Sequence, residues 1–225
     1  MTPYYQDDYC TIYRGDCREI LPLLEPVDLV VTDPPYGIGE AAGANKSRGK
    51  LVIARDYGDD SWDDEPIKDD LMRLVLGAGR RLIIWGGNYY SHLLTPSACW
   101  LVWDKENTGD FADCELAWTN LRQAVRLRRH RWNGMLRKGQ EQRFHPTQKP
   151  LDLFKWCITQ ADKHSKNDTI LDPFMGSGTT LRAAKDLGRK AIGIEIEEKY
   201  CEIAAKRLSQ EVLPLNMKGR AEYCE

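Results

Sequence analysis

The sequence predicts an α/β fold in which a doubly wound, largely parallel sheet forms the core. Short aliphatic runs alternate with amphipathic helical segments along most of the chain, and this alternation is typical of such sheets. Acidic residues also follow several of the runs directly. Because ligands bind beyond the carboxyl ends of the strands in open parallel sheets, we expect a ligand site at that edge.

The predicted strands are short runs of aliphatic or β-branched residues that stop at Pro, Gly or an acidic residue. They span residues 10–14, 27–32, 81–85, 169–172 and 190–195. Amphipathic periodicity predicts helices between and after the strands, at residues 62–78, 151–164, 178–187 and 197–210. Residues 98–121 differ, because two apolar runs flank a turn at 107–109 and predict an antiparallel hairpin at the sheet edge.

Length and composition predict one domain with a modest insertion, since 225 residues of which 42% are hydrophobic can bury one full core. No apolar run approaches the roughly 20 residues of a membrane span, and the N-terminus lacks a signal pattern, so we expect a cytoplasmic protein without membrane attachment. Seven cysteines without a Cys-x-x-Cys pair and four scattered histidines predict neither a disulfide framework nor a metal site.

The net charge of −2 hides two segregated blocks. Residues 122–143 contain eight basic residues against one acidic residue, whereas residues 56–70 contain eight acidic residues against one basic residue. The basic block could dock a polyanion even though the whole chain is slightly acidic. A solvated loop remains the alternative for the basic block, and a solvated helix start remains the alternative for the acidic one.

Four carboxylates follow or close predicted strands: Asp16, Asp33, Asp172 and Glu195. A sheet with a purely structural role has no need of this arrangement. Because the carboxyl ends of parallel strands share one edge, we expect the four side chains to border one site.

The segment Asp33-Pro34-Pro35-Tyr36 follows a strand directly and suits chemistry on a planar amine. Two prolines hold the backbone extended and offer carbonyl oxygens rather than N–H donors. The Asp33 carboxylate and the Pro34 carbonyl could each accept one hydrogen of a base amine, which would direct the nitrogen lone pair at an electrophile. Tyr36 could supply an aromatic face for the base. The alternative is an ordinary strand-ending turn.

Residues 171–180 lead from a strand through a glycine loop into a helix. A phosphate loop is excluded because no Lys precedes the hydroxyl residues after Gly178. A nicotinamide fingerprint would need a third glycine where Leu181 stands. Glu195, at the next strand end, could accept from both hydroxyls of a ribose, so the unit predicts a nucleoside-type ligand.

Together the Asp33–Tyr36 segment and the Asp172-Pro173-Phe174-Met175-Gly176-Ser177-Gly178 loop resemble the catalytic and cofactor motifs of DNA amino-methyltransferases. Their order along the chain resembles the beta class of that family. The resemblance implies a circularly permuted class I (Rossmann-like) S-adenosylmethionine-dependent methyltransferase sheet. It covers roughly residues 10–40 and 145–210.

Three further segments resemble parts of the family's cofactor site: Gly15-Asp16-Cys17, His145-Pro146-Thr147-Gln148-Lys149-Pro150 and Gly193-Ile194-Glu195. A helix N-cap is the alternative for Asp16, and a surface lysine is the alternative for Lys149. With Asp33, Pro34, Pro35 and Tyr36 as the catalytic residues, the resemblance implies a cofactor site made of Asp16, Asp33, His145, Thr147, Gln148, Lys149, Asp172, Pro173, Phe174, Gly176, Ser177, Gly178, Thr179, Glu195 and Ile196.

The expected partner is double-stranded DNA. Basic and planar side chains suit contacts with phosphates and base edges, and the candidates are Lys46, Arg48, Lys50, Arg126, Arg128, Arg129, Arg131 and Trp132. The family's target-recognition region corresponds here to a short insertion at about residues 120–144. That shortness and the family's habit of pairing imply a homodimer.

The resemblance implies transfer of a methyl group to N6 of an adenine flipped out of the duplex, in a bacterial or phage-encoded restriction–modification context. Asp33 favours adenine, because enzymes that act on N4 of cytosine often carry Ser at that position. Cytosine N4 methylation is the alternative reaction. A DNA-binding module that kept the fold and lost catalysis is a second alternative.

Overall fold

The computed structural model describes residues 1–36, 67–106, 112–131, 148–161 and 168–210. The turn at 107–109, the start of the helix predicted at 62–78 and most of the acidic block lie outside these residues. So does the recognition insertion from residue 132 onward.

The described residues form nine strands, five helices and one 3₁₀ turn at Leu21–Leu23. The strands are β1 (Tyr5–Gln6), β2 (Cys10–Arg14), β3 (Val27–Thr32), β4 (Gly79–Trp85), β5 (Trp100–Asp104), β6 (Cys114–Thr119), β7 (Arg126–Arg129), β8 (Thr169–Asp172) and β9 (Lys190–Glu195). The helices are α1 (Cys17–Ile20), α2 (Asp69–Gly77), α3 (Leu151–Ala161), α4 (Thr179–Asp186) and α5 (Glu198–Ser209).

The strands pair in one sheet with the order β1-β2-β9-β8-β3-β4-β6-β5-β7. Strands β2, β9, β8, β3 and β4 are parallel to one another, so their carboxyl ends share one edge. Within the sheet, β4 lies on one side of β3, and β9 lies on the opposite side of β8. The switch in strand order therefore lies between β3 and β8, where open α/β sheets bind their ligands.

The predicted strands and helices are confirmed with small changes at their ends. Helix α2 begins at Asp69, after the non-helical residues Ile67 and Lys68, and the predicted residues 62–66 lie outside the described part of the chain. Asp69 and Asp70 occupy its first turn, where negative charge interacts favourably with the helix dipole. Helix α3 is described from Leu151 to Ala161, and the predicted residues 162–164 lie outside the described part of the chain.

The predicted hairpin is confirmed as β5 and β6, but it does not form the edge of the sheet. β6 joins β4 through antiparallel pairing, and β7 lies beyond β5 in parallel register. β7 comes from the start of the basic block, so Arg126–Arg129 is an edge strand and not a loop. Sequence periodicity did not reveal it, because arginines dominate this short run.

Alternating side chains of the central strands divide the core between the two faces of the sheet. On β3, Leu29 and Val31 pack on the face covered by α3, whereas Val30 packs on the face covered by α2. All three side chains are fully buried. Burial of each such side chain stabilises the fold by about 1.5–3 kcal/mol. In the described part of the chain, no helix combines the length and apolarity that crossing a membrane requires.

Arg81, near the amino end of β4, forms hydrogen bonds with three other parts of the chain. Its guanidinium donates to the carbonyl of Asp28 at 3.2 Å, to the carbonyl of Ala161 at 2.6 Å and to the Asp168 carboxylate at 2.5 Å. Asp168 is 7% exposed, so removal of Arg81 would leave a buried carboxylate without its charged partner.

We expect Arg81→Met to lower the free energy of unfolding by about 3 kcal/mol. This is the lower end of the range for breaking a buried ion pair, because the Arg81 side chain is itself 28% exposed. Urea titration followed by circular dichroism would measure the change. Arg80→Met is the matched control, since Arg80 is exposed and its loss should change stability by less than about 0.5 kcal/mol. Equal losses in the two variants would contradict the role of Arg81.

Candidate active site

The four carboxylates at strand ends border one cavity, as the sequence predicts. Asp16, Asp33, Asp172 and Glu195 line a space of about 360 Å³, which is within the range of small-molecule sites. They meet because β2, β9, β8 and β3 are consecutive neighbours in the sheet.

The glycine loop between β8 and α4 forms one side of the cavity. Gly178 has a φ of +76°, and a Cβ at this position would lie 2.8 Å from the Cβ of Ala204 on α5. A larger residue would be strained and would push α5 away. The buried guanidinium of Arg207, also on α5, donates to the carbonyl of Ser177 at 2.5 Å and to its Oγ at 3.1 Å. Helix α5 therefore holds the loop in place.

Asp172 is a structural residue of the cavity wall. Its Oδ1 accepts from Thr32 Oγ1 at 2.7 Å and from the amide of Phe174 at 3.1 Å, and its Oδ2 accepts from Thr180 Oγ1 at 2.5 Å. The residue is 3% exposed, and burial raises the pKa of its carboxyl to about 6. The sequence predicts a cofactor contact here, but in the structure these oxygens join β8 to β3 and to α4.

Glu195 is better placed to meet a ligand. Its Oε2 accepts from the amide of Gly176 and its Oε1 from the amide of Glu197, both at 2.9 Å. Each carboxylate oxygen can accept a second hydrogen bond, so both remain able to receive ligand hydroxyls. Burial raises the pKa of this carboxyl to about 7.

Asp16 is the N-cap of α1, with its Oδ1 accepting from the amide of Arg18 at 2.8 Å. The N-cap alternative is therefore confirmed, and Asp16 also lines the cavity. Apolar side chains form much of the remaining wall and could enclose a flat ring: Leu71, Phe154, Pro173, Phe174, Ile196 and Tyr200. Polar wall residues that the sequence predicts are Gln148, Lys149, Gly176, Ser177 and Thr179.

Two residues of the Asp33–Tyr36 segment, Asp33 and Pro35, line the same cavity at the end of β3. The Tyr36 hydroxyl donates to Asp33 Oδ1, and the Tyr90 hydroxyl donates to the carbonyl of Pro35. The Tyr36 ring stacks on Tyr89 with 5.0 Å between ring centroids and 17° between planes. Tyr36 can therefore offer at most its other face to a base.

The loop after β4 supports this segment, and the sequence analysis did not identify it. Gly86 has a φ of +67°, and a Cβ there would lie 2.0 Å from the ring of Tyr36, so only glycine fits. The signal that could have revealed the loop is Gly86-Gly87-Asn88-Tyr89-Tyr90, two glycines and two aromatics directly after a strand end.

Lys149 contacts the catalytic segment rather than the protein surface. Its Nζ lies 2.5 Å from Asp33 Oδ2, 3.1 Å from Glu115 Oε2 and 3.1 Å from the Tyr36 hydroxyl. The side chain is 6% exposed, so the alternative of a surface lysine is wrong. Burial alone would lower the pKa of this ammonium, but the Asp33 and Glu115 carboxylates outweigh burial and raise it. Sequence analysis missed Glu115, which stands in no motif.

Several predicted residues lie outside the described parts of the chain: Lys46, Arg48, Lys50, Trp132, His145 and Thr147. The remaining predicted DNA contacts lie on β7 or just after it, where Arg126, Arg129 and Arg131 are exposed and Arg128 is partly buried. Among the described residues, no group of three or more His, Cys, Asp or Glu side chains could hold a metal ion.

Comparison with known proteins agrees with this geometry. A family model described as DNA methylase, for N6 and N4 methyltransferases, matches residues 88–206. The type II methyltransferase M2.LlaDCHI of Lactococcus lactis subsp. cremoris is 30% identical over 260 aligned positions, which cover 92% of each chain.

Two solved structures share the fold. The cytosine-N4-specific PvuII DNA methyltransferase has a TM-score of 0.63 at 16% identity, covering 94% of this chain and 90% of that one. The complex of M1.HpyAVI with S-adenosylmethionine has a TM-score of 0.58 at 24% identity, covering 89% and 100%. With the family model and the relative of near-equal length, they lead to one conclusion: the chain belongs to the DNA methylase family, the amino-methyltransferases that act on N6 of adenine or N4 of cytosine.

Proposed function

We propose that this protein transfers a methyl group from S-adenosylmethionine to N6 of adenine in double-stranded DNA, with the target base flipped out of the duplex. The observation that carries the proposal is that Asp33 and Pro35 line the same cavity as the glycine loop. Family membership supplies the reaction class.

The cavity suits S-adenosylmethionine in size and in the donors and acceptors that it offers. Glu195 would accept from the ribose hydroxyls, and Asp16 with the apolar wall would hold the adenine ring. The solved relative M1.HpyAVI binds this cofactor, which supports the assignment. When bound, the cofactor supplies a methyl group on a positively charged sulfur. The remaining contacts assigned to it are Asp33, His145, Thr147, Gln148, Pro173, Phe174, Gly176, Ser177, Gly178, Thr179 and Ile196.

The catalytic segment would orient the target amine. The Asp33 carboxylate and the Pro34 carbonyl each accept one N–H of the amine, which turns the nitrogen toward tetrahedral geometry and directs its lone pair into the cavity. The Pro35 carbonyl already accepts from Tyr90, so it holds the backbone and leaves the Pro34 carbonyl for the substrate. The negative charge of Asp33 also offsets positive charge that develops on the nitrogen.

Adenine is favoured over cytosine by the Asp at position 33, where family members that act on cytosine often carry Ser. Cytosine N4 is the second candidate, and the fold does not discriminate between them, because the cytosine-N4-specific PvuII enzyme shares it.

The DNA would lie along the basic edge of the sheet. Arg126–Arg129 forms the edge strand β7, and the insertion at about residues 120–144 continues from it. We assign phosphate and base contacts to Arg126, Arg128, Arg129, Arg131 and Trp132, and to Lys46, Arg48 and Lys50 after the catalytic segment. One methyltransferase domain carrying this insertion, and a homodimer that extends the DNA contact, remain predictions.

Asp33→Ala should abolish methyl transfer while leaving binding of S-adenosylmethionine and DNA nearly intact, because the carboxylate acts chiefly on the target amine. Loss of one positioned acceptor commonly lowers the rate about a hundredfold or more. Nucleoside mass spectrometry of DNA from expressing cells should find N6-methyladenine with the wild type and none with the variant. Asp33→Asn should retain more activity than Asp33→Ala, because its amide oxygen still accepts one N–H.

Two outcomes would contradict these assignments. Detection of N4-methylcytosine instead of N6-methyladenine would show that the target base is cytosine and not adenine. Single-turnover assays with bound cofactor and DNA report the chemical step, and a near-normal rate for Asp33→Ala would place the amine elsewhere.

Cofactor affinity should depend on pH through Glu195. Burial raises the pKa of this carboxyl to about 7, and ribose hydroxyls can donate to both oxygens only when it is ionised. Affinity should therefore be full above pH 7 and weaken by up to about tenfold per pH unit as the pH falls below 7. Glu195→Gln should weaken binding at pH 8 and lose most of this dependence.

Isothermal titration calorimetry with S-adenosylmethionine from pH 5.5 to 8.5 would measure both effects. Glu202→Gln, a change on the exposed face of α5, should behave as the wild type does. Identical pH profiles for the wild type and Glu195→Gln would exclude Glu195 as the ribose acceptor.

Replacing Arg128, Arg129 and Arg131 together by Gln should weaken DNA binding and flatten its salt dependence. Each lost phosphate contact lowers the slope of log affinity against log salt concentration by roughly 0.9. Fluorescence anisotropy with duplex DNA at several salt concentrations measures the slope. The control replaces three exposed residues away from β7 by Gln, namely Arg73, Lys190 and Lys206. Equal slopes in the two triple variants would show that the β7 arginines do not contact phosphate.

A further inference from the structure

Lys149 is enclosed by acceptors that belong to the protein itself. An ammonium has three N–H donors, and three acceptor atoms surround Nζ within 3.1 Å: Asp33 Oδ2, Glu115 Oε2 and the Tyr36 hydroxyl. The ring of Trp85 lies beside it, with its centroid 5.5 Å from Nζ. Two of its N–H donors bind the Asp33–Tyr36 segment, and the Glu115 carboxylate lies beside Nζ as an ion pair.

Glu115 connects this cluster to the hairpin. It stands on β6, where its Oε1 pairs with Lys105 Nζ at 2.5 Å and its Oε2 faces Lys149. The two lysines and the carboxylates of Asp33 and Glu115 balance in charge. The neighbouring lysines lower the pKa of the Glu115 carboxyl despite its burial.

Asp33 faces titratable or charged groups from every element packed around it. Tyr36 lies on its own segment, Lys149 precedes α3, and Glu115 comes from β6. Tyr90 approaches from the loop after β4 through the Pro35 carbonyl, and Asp172 closes β8. Burial and the charge of Glu115 favour the neutral form of the Asp33 carboxyl, whereas Lys149 favours the ionised form.

We infer that Lys149 is a positioning residue that keeps the Asp33 carboxylate ionised and oriented toward the target amine, and that Glu115 offsets the charge of Lys149 beside Asp33. The inference rests on the proposed function, since it assigns Asp33 to the amine. It replaces the cofactor contact that the family resemblance implies for Lys149.

The arrangement suits the reaction because two opposing requirements meet at Asp33. The carboxylate must stay ionised in a buried site, which requires a nearby positive charge. The amine nitrogen becomes positive as it is methylated, which an uncompensated ammonium nearby would disfavour. Glu115 offsets the charge of Lys149 without removing Lys149 from Asp33.

Substitutions of the two residues should move the titration of Asp33 in opposite directions. Lys149→Met removes the positive charge and should move the midpoint to higher pH by about 1 to 3 units. Glu115→Gln removes a negative neighbour and should move the midpoint to lower pH. Lys149→Arg keeps the charge and should restore most of the wild-type behaviour.

Carbon-13 NMR of aspartate carboxyls in the cofactor-free protein would measure the midpoint directly, with Asp33→Asn identifying the resonance. Single-turnover methylation from pH 5 to 9 should show the acid limb moving in the same directions. Affinity for S-adenosylmethionine at pH 8 should change less than threefold in Lys149→Met. The matched control is Lys185→Met, because Lys185 is also a mostly buried lysine, paired with Asp7 at 2.6 Å, and its loss should move neither midpoint nor limb.

An unmoved Asp33 midpoint in both variants, or a shift in the same direction in both, would overturn the inference. A tenfold loss of cofactor affinity in Lys149→Met, with an unmoved Asp33 midpoint, would show that Lys149 contacts the cofactor instead. If Lys149→Met does not fold, the direction in which Glu115→Gln moves the Asp33 midpoint still tests the inference. Failure of the wild type to methylate DNA would refute the proposed function alone, because the NMR titration needs no activity.

Discussion

A buried hydrogen bond between Thr32 Oγ1 and Asp172 Oδ1 joins the two halves of the site. Thr32 ends β3 and Asp172 ends β8, so the bond crosses the switch in strand order. The catalytic segment leaves the sheet one residue after Thr32, and the glycine loop begins one residue after Asp172. The position of the Asp33–Tyr36 segment relative to the glycine loop therefore depends on the alignment of these two strands.

Around this junction, each functional segment is held by an element from another part of the sheet. Helix α5 supports the glycine loop through Arg207, and the loop after β4 supports Tyr36 through Gly86 and Tyr89. The hairpin strand β6 contacts the Asp33 carboxylate through Glu115 and Lys149. Because these contacts are buried, their charges and hydrogen bonds interact more strongly than they would in water.

Local patterns were sufficient to predict much of the fold and part of the site. The parallel strands, the hairpin and the carboxylates at strand ends follow from hydrophobic runs and from the residues that end them. Glu195 and the Asp33–Tyr36 segment were identified because their neighbours in the chain form recognisable motifs. Strand β7 was missed, since pairing with β5 determines its conformation and its own composition does not predict a strand.

The sequence by itself determined most of the strands, the carboxylates at their ends and the two motifs that carry the family resemblance, because these depend on residues within a few positions of one another. Only the tertiary structure decided that the Asp172 carboxylate accepts hydrogen bonds from other parts of the protein. It also decided that Lys149 pairs with Asp33 and Glu115. These partners lie between 8 and 140 residues apart in the chain, and a buried polar group takes whichever partner the packing of the sheet brings within hydrogen-bonding distance.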